Sequence, residues 1–278
     1  MVFKLTQYRV LHPPMARPNP AIMIQWDDSA VILSVRPHGE HAVIVTVLAA
    51  AQGKYAGLVA GGQGQKWHGI LQPGNVVRAV WRARLPEHLG HFTFDLAATT
   101  AARWLDHVMI LAAIRSACIV TEHAVPERQP LPGIYAGLQA LLTGCDADFY
   151  GAAYVQWELG LLAALGYGLD LSMCAVTHSV FELAYVSPRT GRAVSRAAGH
   201  AYHDRLLQLP RFLSGAADWS ALEVWRGLQL TGHFLARQVF AHAASRLTPS
   251  LHDGLPAARR RLTELYQQAA ARAEMQAA

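Results

Sequence analysis

The sequence predicts an α+β multidomain protein in which a small five-stranded barrel is followed by a helical bundle with an inserted β-hairpin. Two observations lead to this prediction. Short β-like segments fill the first hundred residues, and apolar residues recur at helical spacing over most of the remainder. With 278 residues, of which 52% are hydrophobic and 15% charged, the chain can also bury a large core.

The barrel is predicted from five β-like segments between residues 29 and 100. No apolar pattern of helical period separates most of them. Five short strands within about seventy residues are typical of a partly open barrel such as the OB-fold, although an SH3-like barrel gives a similar pattern. The segments read SAVILSVRP, AVIVTVLAA, GKYAGLVAGG, VVRAVWRARL and HFTFDLAATT.

Apolar residues take up helical spacing after Thr100, where Trp104, Val108, Leu111 and Ile114 recur every three or four residues. The segments YVQWELGLLAALGYG and LEVWRGLQLTGHFLARQVF continue this pattern. The second part of the chain is therefore predicted to be a helical bundle.

A β-hairpin is predicted within the helical part, in the stretch LDLSMCAVTHSVFELAYVSPRTGRAVS. Two strand-like runs, FELAYVS and GRAVS, lie on either side of a Pro-Arg-Thr-Gly turn. Gly191 fits a turn position that needs a positive φ. We expect this hairpin to protrude from the bundle.

Charge is distributed unevenly along the chain. The formal net charge is +5, and three units come from Lys4, Arg9 and Arg17 in a proline-rich first segment that contains no acid. We expect residues 1–24 to form a disordered or extended arm, or an upstream start ahead of Met23, rather than a basic tether to a polyanion. The remaining charge alone is weak support for nucleic-acid binding.

The cysteines and the apolar stretches indicate a cytoplasmic protein. Three cysteines lie far apart in sequence, which argues against a disulfide framework and for a reducing compartment. The longest apolar stretches, around residues 108–120 and 159–171, are interrupted and are shorter than the roughly 20 residues that a bilayer requires. The first residues lack the apolar core of a secretory signal. We expect neither a membrane span nor export.

The segment VVRAVWRARL carries the strongest candidate binding surface. Side chains alternate between the two faces of a strand, so Arg78, Arg82 and Arg84 share one face. Guanidinium groups in a row can hold the phosphates of a polyanion. Taken alone, the row favours a solvated strand face, because nearby acids almost balance the basic residues. The full set of candidate DNA-binding residues is Arg36, Lys54, Lys66, Arg78, Arg82 and Arg84.

The sequence contains no recognisable catalytic constellation. It lacks a Gly-x-Ser-x-Gly elbow and a His-Glu-x-x-His pair, and GGQGQK lacks the spacing of a phosphate-binding loop. Cys174, His178, His200 and His203 could be combined into a zinc site, but their spacing matches no common ligand pattern. An unliganded hairpin is the favoured interpretation, and we predict no catalytic residues, no metal and no cofactor.

Several separated motifs, in the right order, resemble the bacterial recombination mediator family RecO. RPHGEHAVIVTVLAAAQGKYAGLVAGG, GILQPGNVV and ARLPEHLG resemble its OB-fold domain, and WELGLLAALGYGLDLSMCAVT, YVSPRTGRAVS, LPRFL and TGHFLAR resemble its helical domain. The resemblance covers residues 25 to about 262. It implies an OB-fold nucleic-acid-binding domain at residues 25–100 and a helical domain at residues 101–278 with a hairpin insert at residues 169–200.

The resemblance also implies a non-enzymatic role in DNA repair and recombination. Such a protein binds single- and double-stranded DNA, anneals complementary strands, and works with RecR, and often RecF, to load RecA onto strands coated by single-stranded DNA-binding protein. The implied setting is cytoplasmic and nucleoid-associated, with the acidic tail of the single-stranded DNA-binding protein as a further partner and no membrane. Two alternatives remain: an interaction scaffold whose barrel no longer contacts nucleic acid, and a zinc enzyme that uses the histidine cluster.

Two segments depart from the family pattern in their basic residues. In many relatives the loop after the third strand is rich in Arg and Lys, whereas GGQGQK offers only Lys66. Relatives often carry basic residues just before the aromatic of the WELGLL helix, near the proposed pocket for the acidic tail. Val155 and Gln156 stand there in this chain.

The hairpin departs from the family pattern in its metal ligands. Many relatives hold zinc with two Cys-x-x-Cys pairs, but here Cys174 keeps the first position and Thr177, Ser195 and Ala198 occupy the others. One thiolate leaves most of the coordination of zinc to water, so we expect a degenerate zinc-finger-like hairpin without metal. Apolar contacts with the bundle must then hold it, and the candidates are Phe181, Leu183, Tyr185 and Val194.

Overall fold

The computed structural model describes residues 23–241, 251–252 and 254–277. The arm expected over residues 1–24 lies outside the described residues, apart from Met23 and Ile24. Ile24 already begins the first strand.

Five strands form a closed barrel. They are β1 (Ile24–His38), β2 (Ala42–Ala49), β3 (Gly53–Val59), β4 (Val76–Ala83) and β5 (His91–Ala98). The neighbour order is β1-β2-β3-β5-β4, and β1 closes the barrel because its first half pairs with β4 and its second half with β2. A parallel pair, Leu58 with His91, joins β3 to β5. This connectivity is that of the OB-fold and confirms the predicted barrel.

The alternation of β4 explains how the barrel buries its core. Trp81 is 1% exposed, while Arg78 and Arg82 point to the outside, as the period-two pattern predicts. The indole Nε1 of Trp81 donates a hydrogen bond of 3.0 Å to the carbonyl of Leu89. Gly90 has a φ of +67°, and a Cβ at this position would lie 2.4 Å from the Trp81 ring. Only glycine fits where the chain turns into β5.

The described residues after the barrel are mainly helical, as predicted. Helices α1, α3, α5 and α6 pack around a common core, and α2 packs on α3. The ranges are α1 (Val108–Ala124), α2 (Pro132–Thr143), α3 (Tyr150–Ala164), α4 (Arg196–Gly199), α5 (Ala221–Phe234) and α6 (Ala257–Ala277). Strands β9 (Leu251–His252) and β10 (Leu255–Pro256) pair just before α6.

One side of the barrel packs into the core of the helical part, while the barrel interior forms a separate buried cluster. Leu33 of β1 is buried in the same cluster as the inward face of α1. The thiol of Cys118 in α1 lies 3.7 Å from the carbonyl oxygen of Ile32, and burial raises its pKa to about 12. Gly53 has a φ of +79°, and a Cβ there would lie 2.2 Å from the carbonyl oxygen of Gln129. The two parts are therefore packed face to face.

The predicted hairpin forms, and a third short strand joins it. Strand β6 (Leu183–Val186) pairs with β7 (Ala193–Ser195), and Gly191 in the turn has a φ of +69° as expected. Strand β8 (Leu207–Gln208) pairs with the other edge of β6. Two residues are too few to show an alternation, so β8 is not predicted from the residue pattern.

The expected packing of Phe181 is wrong. Its side chain is 76% exposed, whereas Val194 is buried and Leu183 and Tyr185 are half-buried. Phe181 precedes β6 in a loop where Glu182 has a φ of +53°, so it lies outside the strand alternation that turns its neighbours inward. Of the hairpin strands, Leu183 and Val186 of β6 pack in the core of the bundle.

Candidate nucleic-acid interface

The outward side of β1, β4 and β5 forms a polar surface that we call the arginine face. It is built around Arg78 and Arg82 of β4. Ser29 and Asp95 are the direct cross-strand neighbours of Arg78, and Gln25 and His91 those of Arg82; Arg84 follows the end of β4 and is also exposed.

Arg78 is already paired with a carboxylate. Its Nε and Nη2 donate to the two oxygens of Asp27 at 2.8 and 2.7 Å, in a bidentate arrangement. The hydrogen bond from Arg78 lowers the pKa of Asp27, and the same bond raises the pKa of Arg78. Asp95 adds a second negative charge on the opposite strand. A phosphate that contacts Arg78 must compete with Asp27.

Arg82 and Arg84 carry the uncompensated charge of the arginine face. Arg82 donates from Nε to the side-chain oxygen of Gln25 at 2.8 Å, which orients the guanidinium without neutralising it. Neither arginine makes an ion pair with any residue that the structure describes. These two guanidinium groups can therefore bind an anion without first losing an acidic partner.

The other three candidates lie elsewhere. Lys54 of β3 lies at the contact with the helical part, where its ammonium donates to the carbonyl oxygen of Glu122 at 2.6 Å. Burial lowers the pKa of Lys54, although Glu127 and Glu122 oppose this effect. Arg36 is exposed opposite Ile44 of β2, beyond the part of β1 that pairs with β4. Lys66 is exposed in a short turn, with its ammonium 5.1 Å from the centre of the Trp67 ring.

The described barrel offers little aromatic surface for stacking bases. Trp81 faces the interior, as expected, and Trp26 stacks on it with ring centroids 6.1 Å apart. Tyr55 packs edge-on against both rings, and Trp67 is half-buried. The arginine face can therefore bind phosphates, but exposed rings on which bases could stack must come from another part of the chain.

A groove between α2 and α3 lies where the resemblance places the pocket for the acidic tail. Its volume is about 560 Å³, and Ile134, Leu141, Trp157 and Leu161 supply much of its apolar lining. Gln156 lies at its edge, and none of the described residues that line it is charged. The groove can bind apolar side chains but offers no cation to a carboxylate.

Cys174 organises the loop before β6 through its sulfur. The thiol is buried, and its Sγ accepts the backbone N–H groups of Ser195 at 3.2 Å and of Thr177 at 3.4 Å. Burial acts to raise the pKa of Cys174, but the hydrogen bonds from Ser195 and Thr177 outweigh it and lower the pKa to about 6. Two residues that stand at lost ligand positions thus bind the remaining sulfur through their backbone.

The structure brings no zinc ligand set together in the residues it describes. His178 and Cys174 are linked by a backbone hydrogen bond of 3.0 Å, and His178 has a φ of +58°. His200 and His203 have ring centroids 6.4 Å apart, and His203 lies 2.9 Å from the carboxylate of Asp204. Across residues 23–241, 251–252 and 254–277, we also find no helix that is long and apolar enough to cross a membrane.

Fold and surface together define an OB-fold barrel protein with a helical domain fused to it through a shared core. Sequence comparison identifies the family. The profile described as Recombination protein O N terminal matches residues 23–99, and Recombination protein O C terminal matches residues 110–247. The chain therefore belongs to the RecO family, which gives it a role in DNA repair and recombination.

Curated relatives agree with this family. The chain is 46% identical over 248 residues to DNA repair protein RecO of Rhodospirillum centenum, covering 88% of this chain and 96% of the relative. It is 45% identical over 250 residues to the protein of the same name from Rhodospirillum rubrum, covering 87% and 96%. The corresponding protein of Cereibacter sphaeroides is 44% identical over 248 residues, covering 89% and 100%.

Proposed function

We propose that the protein is a non-enzymatic mediator that binds single- and double-stranded DNA, promotes strand annealing and, with RecR and RecF, helps to load RecA onto strands coated by single-stranded DNA-binding protein. One observation carries the DNA-binding step: Arg82 and Arg84 are exposed on the barrel without an acidic partner among the described residues. Phosphate contacts by such groups supply most of the affinity for a single strand.

The proposed DNA-binding step is tested by removing these two charges. We expect the variant R82A/R84A to bind an oligo(dT) strand more weakly than wild type. The slope of log K against log salt is negative, and each lost phosphate contact reduces its magnitude by about 0.7 on a single strand, so its magnitude should fall by about 1.4. Fluorescence anisotropy across a salt series measures the slope, and a strand-annealing assay measures the activity.

The control is R272A, which removes an exposed arginine from α6 far along the chain. It should leave both the slope and the annealing rate unchanged. Normal binding and annealing by R82A/R84A would exclude the arginine face as the DNA site.

A protein-interaction scaffold is the second candidate, and the pairing of Arg78 with Asp27 favours it. In this alternative the barrel has lost its DNA contact and the chain acts only by assembling partners. Capture of RecR by wild-type protein that shows no strand binding at low salt would support the scaffold. Binding of oligo(dT) by the wild type would exclude it.

A further inference from the structure

Three arginines from separate elements converge on a small cavity beside the inserted β-sheet. Arg196 begins α4, Arg211 begins the turn Arg211–Ser214, and Arg226 lies in α5. The cavity has a volume of about 260 Å³, and its polar lining is completed by Gln208 and Tyr185. No carboxylate is present among the described residues that line it. We call it the arginine cavity.

The buried carboxylate of Glu223 contacts two of the three arginines. The side chain of Glu223 is only 2% exposed, and its Oε1 accepts a hydrogen bond of 2.5 Å from Nη1 of Arg226. Its Oε2 accepts the backbone N–H of Arg211 at 2.6 Å, and the carboxylate of Asp218 pairs with the guanidinium of Arg211. Both arginines are therefore fixed in place while the cavity itself stays free of negative side chains.

Arg196 is the cation of the arginine cavity that has no counter-charge. It makes no ion pair within the described part of the chain. Its backbone N–H donates to the carbonyl of Glu182 at 2.9 Å, which fixes the start of α4 beside β6. With two carboxylates set against three guanidinium groups, the site retains positive charge and can accept an anion.

We propose that the arginine cavity binds a backbone phosphate of single-stranded nucleic acid. Exposed rings close in sequence to the lining residues favour a nucleic acid over a free anion: Phe181, two residues before Leu183, is 76% exposed, and Tyr202, six residues after Arg196, is 61% exposed. Bases stack on such rings, and the described barrel offers none. The inference rests on the proposed DNA binding and extends its contact surface from the barrel to the helical part.

Arg196→Gln is the variant that tests the proposal. Arg196 has no acidic partner among the described residues, so its loss leaves no buried charge unpaired. A change at Arg226 would instead remove an ion-pair partner from the buried carboxylate of Glu223. We expect the magnitude of the salt slope for oligo(dT) binding to fall by about 0.7, the value for one phosphate contact on a single strand. The matched control R272Q should keep the wild-type slope. F181A should weaken binding with no change in slope, because stacking releases no counterions.

A second readout locates the contact directly. An oligonucleotide that contains 5-bromouracil should crosslink under ultraviolet light to the peptide holding residues 181–202 in wild type, and more weakly in R196Q. Wild-type binding with an unchanged slope and unchanged crosslinking in R196Q would overturn the proposal while leaving the proposed function intact. A wild type that binds no DNA at low salt would overturn both, and the two failures are therefore distinguishable.

Discussion

Glu158 of α3 and Arg259 of α6 form an ion pair at the centre of the helical part, and loss of one partner should destabilise the fold strongly. Both side chains are 0% exposed, and Arg259 donates to the carboxylate from Nε at 2.5 Å and from Nη2 at 2.8 Å. The hydroxyls of Tyr154 and Thr231 donate to the same carboxylate. Removal of one partner leaves a buried charge unpaired, which costs about 3–5 kcal/mol. We expect this loss in the free energy of unfolding for E158L and for R259M.

Thermal and urea unfolding, followed by circular dichroism, measure the effect. In a chain of this size a loss of 1 kcal/mol lowers the Tm by about 2–4 °C, so each single variant should melt at least about 6 °C below wild type. The double variant E158L/R259M leaves no unpaired charge and should lose less than either single variant.

The exposed pair of Arg261 and Glu264 on the same helix supplies the control. Its atoms lie 3.3 Å apart with both side chains more than half exposed, so R261M should change stability by less than about 1 kcal/mol. Single variants of the buried pair that unfold like wild type, or a double variant that loses the sum of the two, would refute the reasoning.

Three further predictions concern single sites. D27N releases Arg78 from its ion pair, so oligo(dT) affinity and the magnitude of its salt slope should both increase; an unchanged slope in anisotropy would contradict this. Q156R adds the missing cation to the α2–α3 groove and should raise the affinity for an acidic tail peptide, measured by calorimetry, whereas Q267R on α6 should not. The folded-state pKa of Cys174 is lowered to about 6, so its thiolate stabilises the fold at high pH and this contribution is lost as the pH falls through 6. The stability difference between wild type and C174S should therefore grow between pH 6 and pH 8, and a constant difference would be inconsistent with a thiolate.

The elements that the sequence predicted well are those with local signals. The alternation that buries Trp81 and exposes Arg82 is a property of consecutive residues, and it held along β4. Gly191 likewise predicts its turn, because few other residues adopt a positive φ. Local patterns were enough to define the barrel, the bundle and the hairpin.

What the sequence could not supply are contacts between distant residues. Asp27 meets Arg78 across 51 positions, so an apparently free arginine is in fact paired. The sequence predicts that Lys54 is a surface lysine on its strand, but the helical part covers it. Of the six candidate residues, Arg78, Arg82 and the adjacent Arg84 lie on or just after β4, whereas the others lie on different elements. Glu223, which holds two arginines of the arginine cavity, gave no signal because its partners come from separate elements.

The shared core between the barrel and α1 couples ligand binding to the stability of the whole chain. Val31, Leu33, Leu48 and Val76 of the barrel lie in the same buried cluster as the helices, so opening either part exposes apolar surface on the other. A ligand that binds only the folded barrel raises the free energy of unfolding by about 2.7 kcal/mol at a concentration one hundred times its Kd. Because the two parts share a buried cluster, the helices should be stabilised by the same amount. DNA on the barrel would then slow hydrogen exchange at amides of α1 that it never touches.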